Sequence, residues 1–141
     1  MKHPVRSKEN TRFTFFRGAP VLILDRLQDR AFCVGLIVMG RKEYHRCRRG
    51  QAPTLEHEYG HLLQLLILGL PVYVLLFLLP SVTCYWTHCC DCCYYALPWE
   101  YTADRLGGAK RRTHAHSFLC WLYFGAAAVL TWLLRLVIIL H

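Results

Sequence analysis

The sequence predicts a mainly α-helical membrane protein with a small β element near its N-terminal end. Three observations carry that expectation. No Asp, Glu, Lys or Arg occurs from Tyr59 to Cys90, nor from Thr113 to Leu134. Uncharged apolar stretches longer than about 18 residues are candidates to enter a hydrocarbon layer. Hydrophobic content of 55% and a mean hydropathy of +0.23 are high for a soluble domain, and these two stretches supply the excess. Charge is also unevenly placed: residues 1–50 hold 12 Lys/Arg against 4 Asp/Glu, whereas residues 51–141 hold 5 of each. A basic segment ahead of apolar ones reads as a cytoplasmic flank held at an anionic leaflet. The rival reading is a nucleic-acid arm. Its charges are scattered among apolar runs without a recognised binding motif, so nucleic acid is not an expected partner.

At 141 residues the chain is expected to form one small domain. It divides into a basic cytoplasmic segment with a β-hairpin (1–50), metal-site helices with a membrane-embedded stretch (51–112) and a C-terminal transmembrane helix (113–141). A cleaved secretory signal is not expected, because no apolar run follows the basic N-terminus within 20 residues.

The first dozen residues are polar and expected to fray. Val21–Leu24 and Phe32–Met39 are short apolar runs rich in Val, Ile and Leu, which favours two strands paired as a hairpin. Arg41–Gly50 reads as a basic loop. Pro53-Thr54 opens a helix with Thr54 as its N-cap, running to about Leu68. Gly69 and Pro71 break it. Val72–Leu79 is a second apolar helix ended by Pro80-Ser81, and Tyr94–Leu106 a third helix stopped by Gly107-Gly108. Ser117–Leu140 is the transmembrane helix.

His57-Glu58-Tyr59-Gly60-His61 is an HExxH motif at the head of the first apolar stretch. From this chain's composition about 0.016 such matches arise by chance. On a helix, residues four apart share a face, so His57 and His61 can both turn a ring nitrogen toward one metal ion, with Glu58 beside it as general base. Two histidines leave such a site short of a protein ligand. Glu100 and Asp104, again four apart, can complete it: Glu100 as third ligand, Asp104 accepting from the free N–H of a ligand histidine. Taken alone, this pair would be only a solvated helix face.

With these residues in place the chain resembles the gluzincin zinc peptidases, whose signature is HExxH, a spacer, then a helix carrying Glu with Asp four residues on. The stretches Thr54–Gln64 (TLEHEYGHLLQ), Leu79–Trp86 (LPSVTCYW) and Tyr94–Gly108 (YYALPWEYTADRLGG) also look like a group of small bacterial membrane proteins. The resemblance covers about residues 54–112. It implies zinc held by His57, His61 and Glu100, with Glu58 as base and Asp104 as partner of a ligand histidine. It also implies a bacterial cell-membrane location, with the N-terminus expected on the cytoplasmic side from its basic charge.

Such a triad sets a condition on topology. A single crossing between residues 62 and 86 would leave Glu100 about 30 Å from the histidines. The basic flanks Arg41–Arg49 and Arg105–Arg112 both prefer the cytoplasm, so the apolar stretch is expected to return as a broken hairpin or as re-entrant helices.

Cys84, Cys89, Cys90, Cys92 and Cys93, with His88 and Asp91, leave several readings open: inert or lipid-facing thiols, a second soft-metal site, or redox chemistry. His114 and His116 suit headgroup contacts. Trp86, Trp99, Trp121, Tyr94 and Tyr95 suit interfacial anchoring, and Arg135 can snorkel to the far headgroups. Tyr59, Tyr101 or His88 could stabilise an oxyanion. The expected function is that of a membrane-embedded zinc metallohydrolase, a peptidase by analogy, acting on a peptide or protein. A non-catalytic metal-binding or structural membrane protein is the alternative.

Overall fold

The computed structural model describes residues 11–87, 91–111 and 115–140, apart from the side chains of Tyr85, Asp91 and Cys92. Arg12–Phe16 (β1) and Ala19–Leu24 (β2) form an antiparallel hairpin. Its two-residue turn, Arg17-Gly18, has φ of 49° and 82°, the positive values that match the twist of paired strands. Ala31–Cys33 (β3) and Ile37–Gly40 (β4) form a second antiparallel pair, and β4 lies parallel to β2, giving the order β1-β2-β4-β3.

The expected simple hairpin of two runs is therefore corrected to a four-stranded mixed sheet. The run from Phe32 to Met39 folds back on itself around Gly35, whose φ of +90° suits glycine. Val21–Leu24 then takes its partners from β1 and β4. Residues 41–50 are also corrected. Arg41–Arg48 is a helix (α1), anchored by buried Glu43, whose carboxylate accepts from Arg46 and from the Thr54 hydroxyl. Thr54 is thus the first residue of the next helix, and its side chain serves Glu43 instead of capping.

Thr54–Leu68 (α2) has two buried faces. Leu55 and Leu62, with half-buried Tyr59 and Leu65, pack on Val21, Ile23, Cys33, Ile37 and Met39 of the sheet. The opposite face, which carries His57, Gly60, His61 and Gln64, meets Pro98–Gly107 (α6). There the backbones touch: a Cβ on Gly60 would strike the Ala103 carbonyl, and one on Gly107 the Glu56 carbonyl.

As expected, Gly69 ends α2, with φ of 72°. The chain then turns back through Leu70–Tyr73 (α3), a π-helical turn at Val74–Leu78 and Leu79–Trp86 (α4). Pro80 does not end this arm, contrary to expectation. The wide turn ahead of it absorbs the clash that its ring would make with the carbonyl four residues earlier, that of Leu76. Asp91–Tyr94 (α5) follows, and α6 starts at Pro98 instead of Tyr94, with proline in its first turn.

Ser117–Leu140 (α7) is the one candidate membrane span among the described residues. Of its residues only Cys120, Phe124, Ala127 and Thr131 are buried. Three hydroxyl bonds tie it down. Tyr101 donates to Ser117 Oγ at 3.0 Å, Tyr123 to the Leu76 carbonyl at 2.7 Å, and Thr131 to the Leu68 carbonyl at 2.8 Å. The last two carbonyls are those freed by Pro80 and by the break at Gly69, which an apolar surrounding could not satisfy. The same ties show the return. Leu68 meets α7 eight residues further along than Leu76 does, so the α3–α4 arm runs back toward α7's start.

Candidate metal centre

The return brings the two predicted halves of the site together. His57 and His61 stand one turn apart on α2, their rings 4.7 Å apart. Glu100, on the first turn of α6, points its Oε2 at both: 3.1 Å from His57 Nε2 and 3.3 Å from His61 Nε2. All three side chains are buried, Glu100 completely. The α2–α6 approach through Gly60 makes this reach possible, because any side chain there would push the Glu100 helix away.

Hydrogen bonding on the far side fixes how the rings are protonated. His57 Nδ1 lies 2.7 Å from Asp104 Oδ1, the partner expected from the i, i+4 spacing of Glu100 and Asp104. His61 Nδ1 lies 2.9 Å from Gln64 Oε1. The Gln64 amide cannot be the other way round, since its nitrogen donates to the Trp99 carbonyl and to Thr102 Oγ1, both at 2.8 Å. Both Nδ1 atoms therefore donate, and both Nε2 lone pairs face the Glu100 carboxylate. Three acceptors converge on one point, an arrangement that requires a proton or a cation between them. Separations of 3.1 and 3.3 Å also match the edge of about 3.3 Å expected for a tetrahedron with bonds of about 2.0 Å, the zinc–nitrogen distance. The residues present fit zinc by donor type, number and spacing.

Ser81, from α4, donates to the other Glu100 oxygen at 2.6 Å, and Tyr94 OH lies 2.6 Å from Ser81 Oγ. Ser81's single proton goes to Glu100, so Tyr94 donates to Ser81. The returning apolar arm thus holds the Glu100 carboxylate directly. Gln64, Ser81, Tyr94 and Thr102 were not expected as site residues. Only the i, i+3 spacing of His61 and Gln64 offered a sequence signal.

Electrostatics follow from burial and these contacts. Burial opposes the charged form of His57, but the bonds to Asp104 and Glu100 outweigh it and raise its pKa to about 9. Burial likewise works against ionised Glu100, and the two histidines override it, holding its carboxyl well below the usual range. Glu58 lies about 100° round α2 from His57, between the site face and the sheet face. Burial pushes its carboxyl up, against the pull of the histidines, and it makes no hydrogen bond among the described residues. Burial thus favours the protonated form of this carboxyl, next along α2 from His57.

Of the expected oxyanion groups, Tyr59 packs edge-on against Phe16 and Tyr101 donates to Ser117, so both are engaged elsewhere; His88 lies outside the described residues. Tyr95 stands at the site, its ring edge-on to His57 at 5.5 Å with the Arg111 guanidinium 3.7 Å above it. Tyr94 and Tyr95 thus both contact the cluster, Tyr94 through Ser81 and Tyr95 through the His57 ring. Trp99 packs on Tyr123, whereas Trp86 and Trp121 are exposed. Arg135 reaches the turn at Gly69. Of the cysteine-rich stretch, Cys84 is a free thiol on α4 and Cys93 is disulfide-bonded; the rest, with His88, Asp91's side chain and His114, fall outside the described residues.

The chain matches no protein-family model, no curated protein and no solved structure.

Proposed function

We propose that the chain is a membrane-embedded zinc metallohydrolase, a peptidase by its chemical pattern. The observation that carries this reading is the convergence of His57, His61 and Glu100, with both outer imidazole nitrogens engaged and Glu58 next to His57 without a hydrogen bond among the described residues. Zinc, when bound, supplies Lewis acidity and lowers the pKa of water to about 7. His57, His61 and Glu100 would hold it. Asp104 and Gln64 keep each ring in the tautomer that presents Nε2, and Ser81 keeps Glu100 turned toward both. Glu58 would accept the proton of the attacking water and return it to the leaving group.

Membrane placement is supported by exposed apolar surface. Leu66, Ile67, Leu70, Leu75 and Leu79 on the returning arms, and most of α7, face outward. Contiguous apolar surface left outward in this way marks a face that meets lipid or another chain. On this reading the flanks near Arg48 and Lys110 lie together on the cytoplasmic side of a bacterial cell membrane, against anionic lipid. The near-complete burial of the three ligands favours the second reading, a closed structural metal site, since catalytic sites keep a position open.

Glu58→Gln separates the two. A hydrolase loses about 10²–10⁴ in rate while holding its zinc. If the variant and the wild-type protein complement a deletion strain equally, the structural reading stands.

A further inference from the structure

We propose that the β3–β4 hairpin, residues 31–40, dips into the acyl layer of the membrane alongside α2, with Phe32 and Val34 against lipid chains. This rests on reading α7 as a membrane span. The span provides a ruler: at 1.5 Å per residue, Thr131 lies about 21 Å along α7 from Ser117. Thr131 holds the Leu68 carbonyl, which sets the far end of α2 at that level. Leu65 is three residues, about 4.5 Å of helix, before Leu68, so at any tilt of α2 it lies no less than about 16 Å from the Ser117 level. The hairpin tip sits beside it, since a Cβ on Gly35 would be 4.0 Å from Leu65 Cδ2.

A second measure fixes the direction. Glu43, just past the end of β4, binds the Thr54 hydroxyl at the start of α2. Thr54 to Leu65 is about 16 Å of helix, and Gly35 to Gly40 is about 16 Å of strand. β4 therefore runs back along α2 toward its Thr54 end, and Arg30 and Arg41 mark the hairpin's base at that end.

The chemistry of the hairpin suits that depth. No charged side chain lies between Arg30 and Arg41. Val34 is 54% and Phe32 44% exposed, continuous in depth with the outward Leu66, Ile67 and Leu70. Backbone groups are paired at both ends of the hairpin, Val34 N–H with the Leu36 carbonyl at 3.1 Å and Gly40 N–H with the Arg30 carbonyl at 2.8 Å. The groups so paired need no partner from an apolar solvent, and exposed Arg30 at the base can reach headgroups, whereas Arg41 is held by Asp25 at 2.8 Å.

The test is photo-crosslinking of the full chain in vesicles of phosphatidylethanolamine and phosphatidylglycerol at 3:1. A benzophenone amino acid is placed at position 34, at position 130 on the outer face of α7, and at position 48 on α1. Acyl-chain adducts by mass spectrometry are expected at 34 and 130, in yields within about threefold of each other, and none at 48. Adducts at 130 without any at 34 overturn the proposal and leave the membrane reading intact. A protein–protein adduct at 34 overturns it likewise, as the face then meets another chain. Absence of lipid adducts at both 34 and 130 defeats the membrane reading itself, and the proposal with it.

Discussion

The two faces of α2 are held by different forces. Toward the sheet, Leu55, Tyr59, Leu62 and Leu65 meet Val21, Ile23, Ile37 and Met39 with no hydrogen bond between them among the described side chains. Toward α6, His57, His61 and Gln64 are hydrogen-bonded to Asp104, Glu100, Thr102 and the Trp99 carbonyl, and Gly60 lets the backbones touch. Burial is non-directional and tolerates change of shape; a hydrogen-bonded, backbone-to-backbone contact does not. Substitutions on the sheet face should therefore cost stability and spare the metal, whereas those on the α6 face should cost the metal first.

The largest break in this comparison comes from Gly60→Ala. Its methyl group would strike the Ala103 carbonyl, a backbone atom that cannot move aside, so α6 must be displaced. We expect a loss of about 3 kcal/mol or more, with zinc binding abolished. Leu62→Ala on the other face should cost a similar 2–5 kcal/mol in denaturant unfolding yet keep its zinc. Equal zinc loss in both variants would erase the distinction.

Smaller effects sharpen it. Gln64→Ala and Asp104→Ala leave the three ligands in place but free their rings to turn. Each should weaken zinc affinity about 10–100-fold in chelator competition. Affinity unchanged in both would mean that the rings are oriented by packing alone.

pH separates the faces more gently. In the metal-free protein the His57 pKa is raised from 6.5 to about 9. The stability it contributes is fully present below about pH 6.5 and is lost as pH rises through about 9. Zinc needs the deprotonated ring, so its apparent affinity should rise about tenfold per pH unit across the same window. Metal-free Tm should fall with pH while zinc affinity climbs. Asp104→Ala, which removes the largest contact raising that pKa, should flatten both slopes, and Leu62→Ala neither.

The same contrast explains what could be read from the chain. HExxH, Glu100 and Asp104 follow helix periodicity, so their shared faces are encoded locally, as are the break at Gly69 and the bounds of α7. Ser81 and Tyr94 were invisible because they meet Glu100 only through the return of the apolar arm; in the sequence Ser81 reads as punctuation after Pro80. The sheet is hidden in the sequence for a related reason. Phe32–Met39 is continuous in hydropathy, and only pairing with β2 makes it two strands. The Arg41–Arg48 helix was hidden by its charge: Glu43, its buried anchor, finds its partner at Thr54, eleven residues on.

The central claim is that one metal ion is held between α2 and α6 by His57, His61 and Glu100. Metal content of the purified full chain, read by mass spectrometry beside Glu100→Ala with helical circular dichroism as the check on folding, tests it most directly. About one zinc per chain is expected in the wild-type protein and none in a folded Glu100→Ala. Full occupancy in the folded variant would contradict the claim.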